Sequence, residues 1–146
     1  MKGIIRWGCL VCSIVLTAFT LAGYDQKQYN EVKAGNENKT YNFFDLSGAD
    51  LSGMNLEMAC FREANLIRAN LAKANLSYAN LKGAFLNGAN LKDANLAYAD
   101  VRGANFLEAD LSGAIIAGAQ VRGARFLAAK LSEAQKKYIE ENGGEF

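Results

Sequence analysis

The sequence contains neither histidine nor proline. Without histidine, the chain lacks the side chain that most often acts as a general base or binds a metal near neutral pH, which argues against a hydrolase or a metalloenzyme. Proline has no backbone donor, so its absence fits a chain that is hydrogen-bonded through most of its length. An excess of charge is also missing, since 16 Lys and Arg are matched by 15 Asp and Glu. The net charge therefore gives no indication of a nucleic acid or an anionic membrane as partner.

The first 22 residues differ in character from the rest of the chain. Lys2 and Arg6 precede an apolar run over residues 7–19, and the small residue Ala22 follows. This pattern predicts a secretory signal peptide over residues 1–22. The alternative is an uncleaved anchor, but the run is shorter than the roughly 20 apolar residues that a spanning helix needs. We therefore expect export to the periplasm, with the thylakoid lumen and the extracellular space as alternatives, and membrane contact only through this segment if it stays uncleaved.

Cleavage would leave Cys60 as the one thiol of the mature chain. A single thiol cannot form an internal disulfide, so the exported domain must be stabilised by burial. Since no histidine is present to activate it, Cys60 is not expected to be a nucleophile.

Every fifth residue from Leu46 to Leu131 is Leu, Phe, Val or Ile, which makes eighteen consecutive five-residue units. A step of five would wind these residues around a helix, and in a continuous strand it would point them to alternate faces. From Ala49 onward, alanine stands two residues before each centre except at Met54, which is strand spacing, and glycine ends many units, which favours a corner. The period therefore predicts a short strand and a corner in each unit, and a solenoid around a column of Leu and Ala.

The units "ANLIR", "ANLAK", "ADLSG" and "ADVRG" resemble the A-[DN]-L-x-x repeat of the pentapeptide repeat family. The resemblance runs without a break from about residue 44 to residue 131. It implies an all-β solenoid, a right-handed quadrilateral β-helix with four units per coil. Eighteen units would then make about four and a half coils, and coils spaced about 4.8 Å apart would make a rod roughly 20 Å long.

Both ends of such a coil need a cover, because an open end exposes unpaired backbone. Ser132 and Gln135 have the spacing of a capping box, which predicts a short capping α-helix. Residues 23–43 are polar without a clear period, and the sequence leaves open whether they cap the coil or form a flexible tether. The predicted organisation is residues 1–22 as signal peptide, 23–43 as cap or linker, 44–131 as the β-helix, and 132–146 as capping helix and tail. In the capping helix we expect Leu131, Ala134 and Tyr138 to face the last coil.

A coil of four units would stack each residue on the one four units later, which forms columns on the outside of the rod. A basic column could bind a polyanion, although a solvated surface partly balanced by Glu63 and Asp100 is the favoured interpretation. Rows of large apolar side chains mark interaction surfaces, so we expect docking of a protein partner or a second copy there, unless the N-terminal segment covers them. The basic column is Arg62, Lys82, Arg102 and Arg122; the apolar column is Ile67, Leu107 and Leu127, broken by Asn87 and with Phe85 beside it; the aromatic column is Met58, Tyr78 and Tyr98.

No phosphate-binding loop, metal-ligand spacing or paired acid site is present, so we expect no enzymatic activity, no cofactor and no metal. The leading hypothesis is an exported, non-enzymatic binding or scaffold protein that presents flat sides to a macromolecular partner. The family resemblance adds a gyrase-protecting DNA mimic, but residues 44–131 carry nine basic and eight acidic residues, a balance of +1, whereas mimicry needs a strongly negative rod. Nucleic acid is likewise not the expected partner. A binder of anionic envelope polymers through the basic column is the third hypothesis.

Overall fold

The computed structural model describes residues 25–34 and 39–146, so the predicted signal peptide lies outside the described residues. It has two helices, α1 at Gln26–Ala34 and α2 at Glu133–Glu141, with a coil of paired segments between them. Neither of these helices has the length and apolar character needed to cross a bilayer.

Throughout the coil, each bridge joins parallel segments at residues that are 20 apart in the chain. The series runs from the pair Thr40 and Cys60, in steps of five, to the pair Asp110 and Lys130. One coil therefore takes four units, which confirms the expected four-sided coil. The pairing itself differs from the expected short strands, since the described residues form isolated bridges only. The reason is local, because each unit places a two-residue turn between one bridge and the next.

The sides of the coil are numbered here along the chain, from the side that holds Leu46. The buried centres are Leu46, Leu66, Leu86, Phe106 and Phe126 on side 1; Leu51, Leu71, Leu91 and Leu111 on side 2; Leu56, Leu76, Leu96 and Ile116 on side 3; and Phe61, Leu81, Val101 and Val121 on side 4.

The core is one continuous column along the axis of the coil. Every unit centre from Leu46 to Phe126 is buried, and so are the alanines that precede these centres. Aromatic centres stack as the aliphatic ones do, since the rings of Phe106 and Phe126 lie 4.8 Å apart and within 4° of parallel. Met54, the exception to the alanine pattern, is only partly buried.

The corners between the sides have left-handed backbone. In each unit the residue two places after the centre has a φ between 55° and 73°, from Phe43 to Ala128. Glycine adopts this region without strain, yet many corners carry larger residues, including all three members of the aromatic column. Side chains before the centres support the turns, as where the Ala97 N–H donates to Asn95 Oδ1 at 3.0 Å. The repeated Asn and Asp side chains therefore have a structural role.

Helix α1 lies against the first coil. Tyr29 and Val32 are buried in the same cluster as the centres of the coil. The Asp25 N–H donates to the Asp45 carbonyl at 3.1 Å, and the Tyr29 hydroxyl donates to the Asp50 carbonyl at 3.2 Å. Over residues 26–34, the segment that the sequence left open as cap or tether covers the end of the core.

Helix α2 begins with the predicted capping box. The Gln135 N–H donates to the Ser132 hydroxyl, and the Ser132 N–H donates to Gln135 Oε1. The predicted inner face is wrong in part, because Gln135 and Ile139 are buried, Tyr138 is partly buried and Ala134 is exposed. Positions 135 and 139 are one helical turn apart and share a face, and Ala134 lies beside that face.

After α2, the chain returns to the coil. The Gly123 N–H donates to the Gly143 carbonyl at 2.8 Å, and the Phe126 N–H donates to the Glu145 carbonyl at 2.7 Å. Phe146 takes the place of a unit centre, one full coil after Phe126, and the two ring centroids are 6.3 Å apart. The tail thus adds another segment to side 1, while α2 replaces the units that would form sides 3 and 4.

Candidate interaction surfaces

The basic column lies on side 4, and all four of its side chains are exposed. Arg102 makes a bidentate ion pair with Asp100, with Nε to Oδ1 at 2.8 Å and Nη2 to Oδ2 at 2.6 Å. These hydrogen bonds raise the pKa of Arg102 and lower the pKa of Asp100. The other expected neighbour, Glu63, makes no ion pair with a described residue, and neither do Lys82 and Arg122. The column is therefore neutralised at one of its four positions.

The aromatic column lies on the corner between sides 3 and 4. Met58 is 70% exposed and Tyr98 is 57% exposed. The rings of Tyr78 and Tyr98 stack with centroids 5.1 Å apart and an angle of 11°. Because their faces cover each other, these rings offer their edges and hydroxyl groups to a partner.

The apolar column lies on side 1, together with Phe85. Leu127 and Phe85 are about half exposed, at 54% and 48%, whereas Leu107 is less exposed. Phe85 pairs with Asn105 in the next coil, so it stands on the same side as Leu107. Side 4, with the basic column, lies between the apolar and the aromatic columns. The structure therefore brings Phe85 together with the apolar column and keeps the aromatic column separate from both.

Besides Phe146 in the tail, two exposed apolar residues were missed in the sequence, namely Phe43, at 70% exposure, and Ile115, at 54%. Each stands alone in a column whose other members are polar or glycine, as Ile115 does after Asn75 and Asn95. A search for rows of similar residues passes over such single positions.

A cavity of 380 Å³ opens at the C-terminal end of side 4, where the coil meets α2. We call it the side-4 cavity. It was not predicted, because its second wall depends on where α2 packs. Its lining includes Arg102, Ala119, Gln120, Arg122, Tyr138 and Asn142.

A metal site and a reactive thiol are the other kinds of site to consider within residues 25–34 and 39–146. No group of three or more His, Cys, Asp or Glu side chains in these ranges is arranged to hold a metal ion. Cys60 is a free thiol on side 4, half-buried between the neighbouring coils.

A family model matches the repeats. The model described as pentapeptide repeats matches in eight copies, over residues 45–77, 59–93, 69–106, 89–127 and 104–135. Together these segments span residues 45–135, which is more than half of the chain. No curated protein matches the sequence.

Three solved structures are among those similar to this chain. HetL, a pentapeptide repeat protein involved in heterocyst differentiation regulation in the cyanobacterium Nostoc sp. strain PCC 7120, is 34% identical, with a TM-score of 0.54 over 62% of this chain and 39% of HetL. A pentapeptide repeat protein of the Arabidopsis thaliana thylakoid lumen is 31% identical over 64% of this chain and 80% of that one, with a TM-score of 0.44. The Nostoc pentapeptide repeat protein alr5209 is 26% identical over 82% and 93%, with a TM-score of 0.40. This chain spans about two fifths of the length of HetL.

Proposed function

Because the chain belongs to the pentapeptide repeat family, we propose that it is an exported, non-enzymatic binding or scaffold protein, built as a right-handed quadrilateral β-helix. One side presents the apolar column, and one corner presents the aromatic column, to a protein partner or to a second copy. The observation that carries the proposal is the exposure of large apolar side chains in rows on a coil whose interior is already filled.

The energetic argument concerns what these side chains gain by docking. Covering exposed apolar area with a partner is favourable by about 25 cal/mol per Å², and side chains in rows can be covered together. Tyrosine is enriched at the energetic centres of interfaces, where its ring packs and its hydroxyl finds a hydrogen bond. The hydroxyls of Tyr78 and Tyr98 make no hydrogen bond with a described residue, so they remain available as donors.

The coil also offers a surface that is ordered before binding. Consecutive coils are joined by backbone hydrogen bonds at every unit, such as Leu86 N–H to the Asn105 carbonyl at 2.8 Å. A partner that meets a preformed surface loses less conformational entropy than one that must order a loop. This rigidity supports a scaffold role more than a catalytic one.

A photo-crosslinking residue at position 107, in the cell of origin, tests the docking. The matched control is position 92, which takes the same place in its unit but lies on side 2. We expect a discrete adduct at position 107 that is absent at position 92 and is reduced by Leu127→Asn. Equal capture at both positions, or an adduct to residues 1–24 of the same chain, would count against the proposal.

Export is tested separately by the mass of the mature protein. We expect a chain that begins at Gly23 and is recovered outside the cytoplasm. An intact chain that begins at Met1 and stays in the cytoplasm would remove the exported part of the proposal and leave the docking part in place.

The basic column supports a second candidate, the binding of an anionic envelope polymer. Arg62, Lys82 and Arg122 make no ion pair with a described residue, and they follow one another along side 4. Binding of this kind weakens steeply with salt, and Arg102→Glu should abolish it. A binding constant that does not change with salt would exclude this candidate.

A further inference from the structure

The side-4 cavity lies apart from the apolar column, and the docking proposed above makes no use of it. The coil forms one wall, and α2 forms the other. The cavity is an open depression, and its volume of 380 Å³ lies near the lower end of the range of about 300 to 1,000 Å³ for small-molecule sites, so a bound ligand would stay partly exposed. The size of the cavity therefore fits a small ligand.

The coil wall carries two guanidinium groups one coil apart. Neighbouring coils are spaced like strands, at about 4.8 Å, so Arg102 and Arg122 can contact the same anionic group. Arg102 uses Nε and Nη2 on Asp100 and keeps Nη1. The Arg122 guanidinium forms no hydrogen bond or ion pair within the described part of the chain, and its Cγ lies 3.7 Å from where a side chain would begin at Gly143. The wall thus offers free, planar donors.

The helical wall is fixed in place by hydrogen bonds to the coil. The Tyr138 hydroxyl donates to the Ala119 carbonyl at 3.0 Å, and Gln135 Nε2 donates to the Leu111 and Ala114 carbonyls at 3.0 and 2.9 Å. Asn142 Nδ2 donates to the Tyr138 carbonyl at 2.8 Å, which orients the amide at the cavity. The backbone of both walls is therefore fixed before a ligand binds, while the exposed side chains of Gln120 and Arg122 can adjust to the ligand.

Charge decides the class of ligand. Two arginines and the carboxylate of Asp100 leave one net positive charge beside the cavity. This single net charge is balanced by a monoanion, and a carboxylate presents two oxygens to the planar donors, whereas a doubly charged phosphate would leave one negative charge unbalanced. We propose that the side-4 cavity binds a small carboxylate ligand, with Arg122 and Arg102 holding the carboxylate and Gln120 and Asn142 contacting its polar body.

Lactate and inorganic phosphate are suitable probes for an NMR titration of the full chain at constant ionic strength. We expect lactate to produce saturable shifts of the side-chain amide resonances of Gln120 and Asn142 and of the Arg122 Nε–H. Arg122→Gln should weaken lactate binding about ten- to a hundredfold, since it removes charge-assisted hydrogen bonds. Because Arg122 is exposed, this variant should keep the melting temperature of the parent.

Arg62→Gln is the matched control, because it removes the same charge from the basic column three coils away from Arg122. We expect it to change lactate binding less than about twofold, since exposed charges beyond a Debye length are screened. Three results would overturn the proposal: no saturation with lactate, an equal loss in both variants, or phosphate binding more tightly than lactate. Leu127→Asn should leave lactate binding unchanged, so that failure of the docking proposal and failure of this one can be told apart.

Discussion

The helices at the two ends of the coil are attached by the same kinds of contact but in different numbers. Helix α1 covers the first coil with Tyr29 and Val32 and adds a few hydrogen bonds from the start of the helix. Helix α2 buries Ile139, places the amide of Gln135 on two carbonyls of the coil, and is followed by a tail that pairs with the coil again. Both caps have backbone hydrogen bonds to the coil on their flanks, but among the described residues the segment before α1 contributes one, at Asp25, whereas the tail after α2 contributes three.

The difference indicates how a coil with open ends can be closed. A cover whose outer flank has one backbone bond to the coil can open once that bond breaks, whereas a cover whose outer flank has several must break them together. Regions with few buried contacts open at lower free energy than the rest of a fold. We expect α1 to open before the coil, and α2 to open together with it.

The largest effect in this comparison is expected from Ile139→Ala. The side chain is fully buried, so its truncation should lower the free energy of unfolding of the whole coil by about 3 kcal/mol. Val32→Ala should lower the free energy of unfolding of the coil by less, because α1 opens separately from the coil. Urea unfolding followed by circular dichroism measures both variants, and an equal loss in the two would contradict the comparison.

Gln135→Ala should have the next largest effect, lowering the free energy of unfolding by about 2 kcal/mol. It leaves the carbonyls of Leu111 and Ala114 without the donor that now reaches them inside the protein. Lys136→Ala is the control on the same helix, because it breaks only an exposed ion pair with Glu133. The same unfolding assay should show a shift for the first variant and almost none for the second.

Asp25→Ala is expected to have a smaller effect, lowering the free energy of opening of α1 by about 1 kcal/mol. Its carboxylate accepts hydrogen bonds from the N–H groups of Lys27 and Gln28 at the start of α1. Hydrogen exchange should speed up in the amides of α1 and remain unchanged in the coil. In Ser132→Ala, which breaks the capping box of α2, we expect faster exchange to extend into the last coil. Changes confined to α2 would mean that both helices open alone.

The smallest effect is expected on the stability of the fold at acid pH. Ser112, through its side chain and backbone, and Lys130 lower the pKa of Asp110 from 3.8 to about 2. Ser52 and the nearby Lys33 of α1 lower the pKa of Asp50, against the opposing effect of burial. A carboxyl group whose pKa is lower in the folded state stabilises the fold above its unfolded pKa, so this stability is lost as the pH falls from about 4 towards 2.

Asp110→Asn should therefore reduce the acid sensitivity of the coil. Asp50→Asn should reduce the acid sensitivity of the contact between α1 and the coil. Unfolding midpoints measured between about pH 2 and 5 test both variants, and parallel curves for variant and parent would contradict the assignment.

The interior of the coil could be predicted from the sequence because it depends on local repetition. Each centre and its alanine recur every five residues, so the buried column and the corners follow from spacing alone. The start of α2 followed from Ser132 and Gln135, since a capping box is a local pattern. These features need no knowledge of how distant segments pack.

The features that escaped prediction depend on packing between segments. Tyr29 and Val32 sit in a polar stretch, and nothing near them in the chain shows that they meet the first coil. The side-4 cavity needs the position of α2 as well as the basic column. The return of the tail to the coil could have been predicted, because Phe146 follows Phe126 by one full coil. The helix, however, interrupts the period between them.

Because every bridge of the coil joins positions four units apart, each coil closes a loop of the same length. Pulled from its two ends, such a protein would come apart one coil at a time, each coil releasing an equal length of chain, about 66 to 72 Å when fully extended. Under load, the rod would therefore lengthen in equal steps. Unfolding would proceed towards the end whose cap is more firmly attached to the coil.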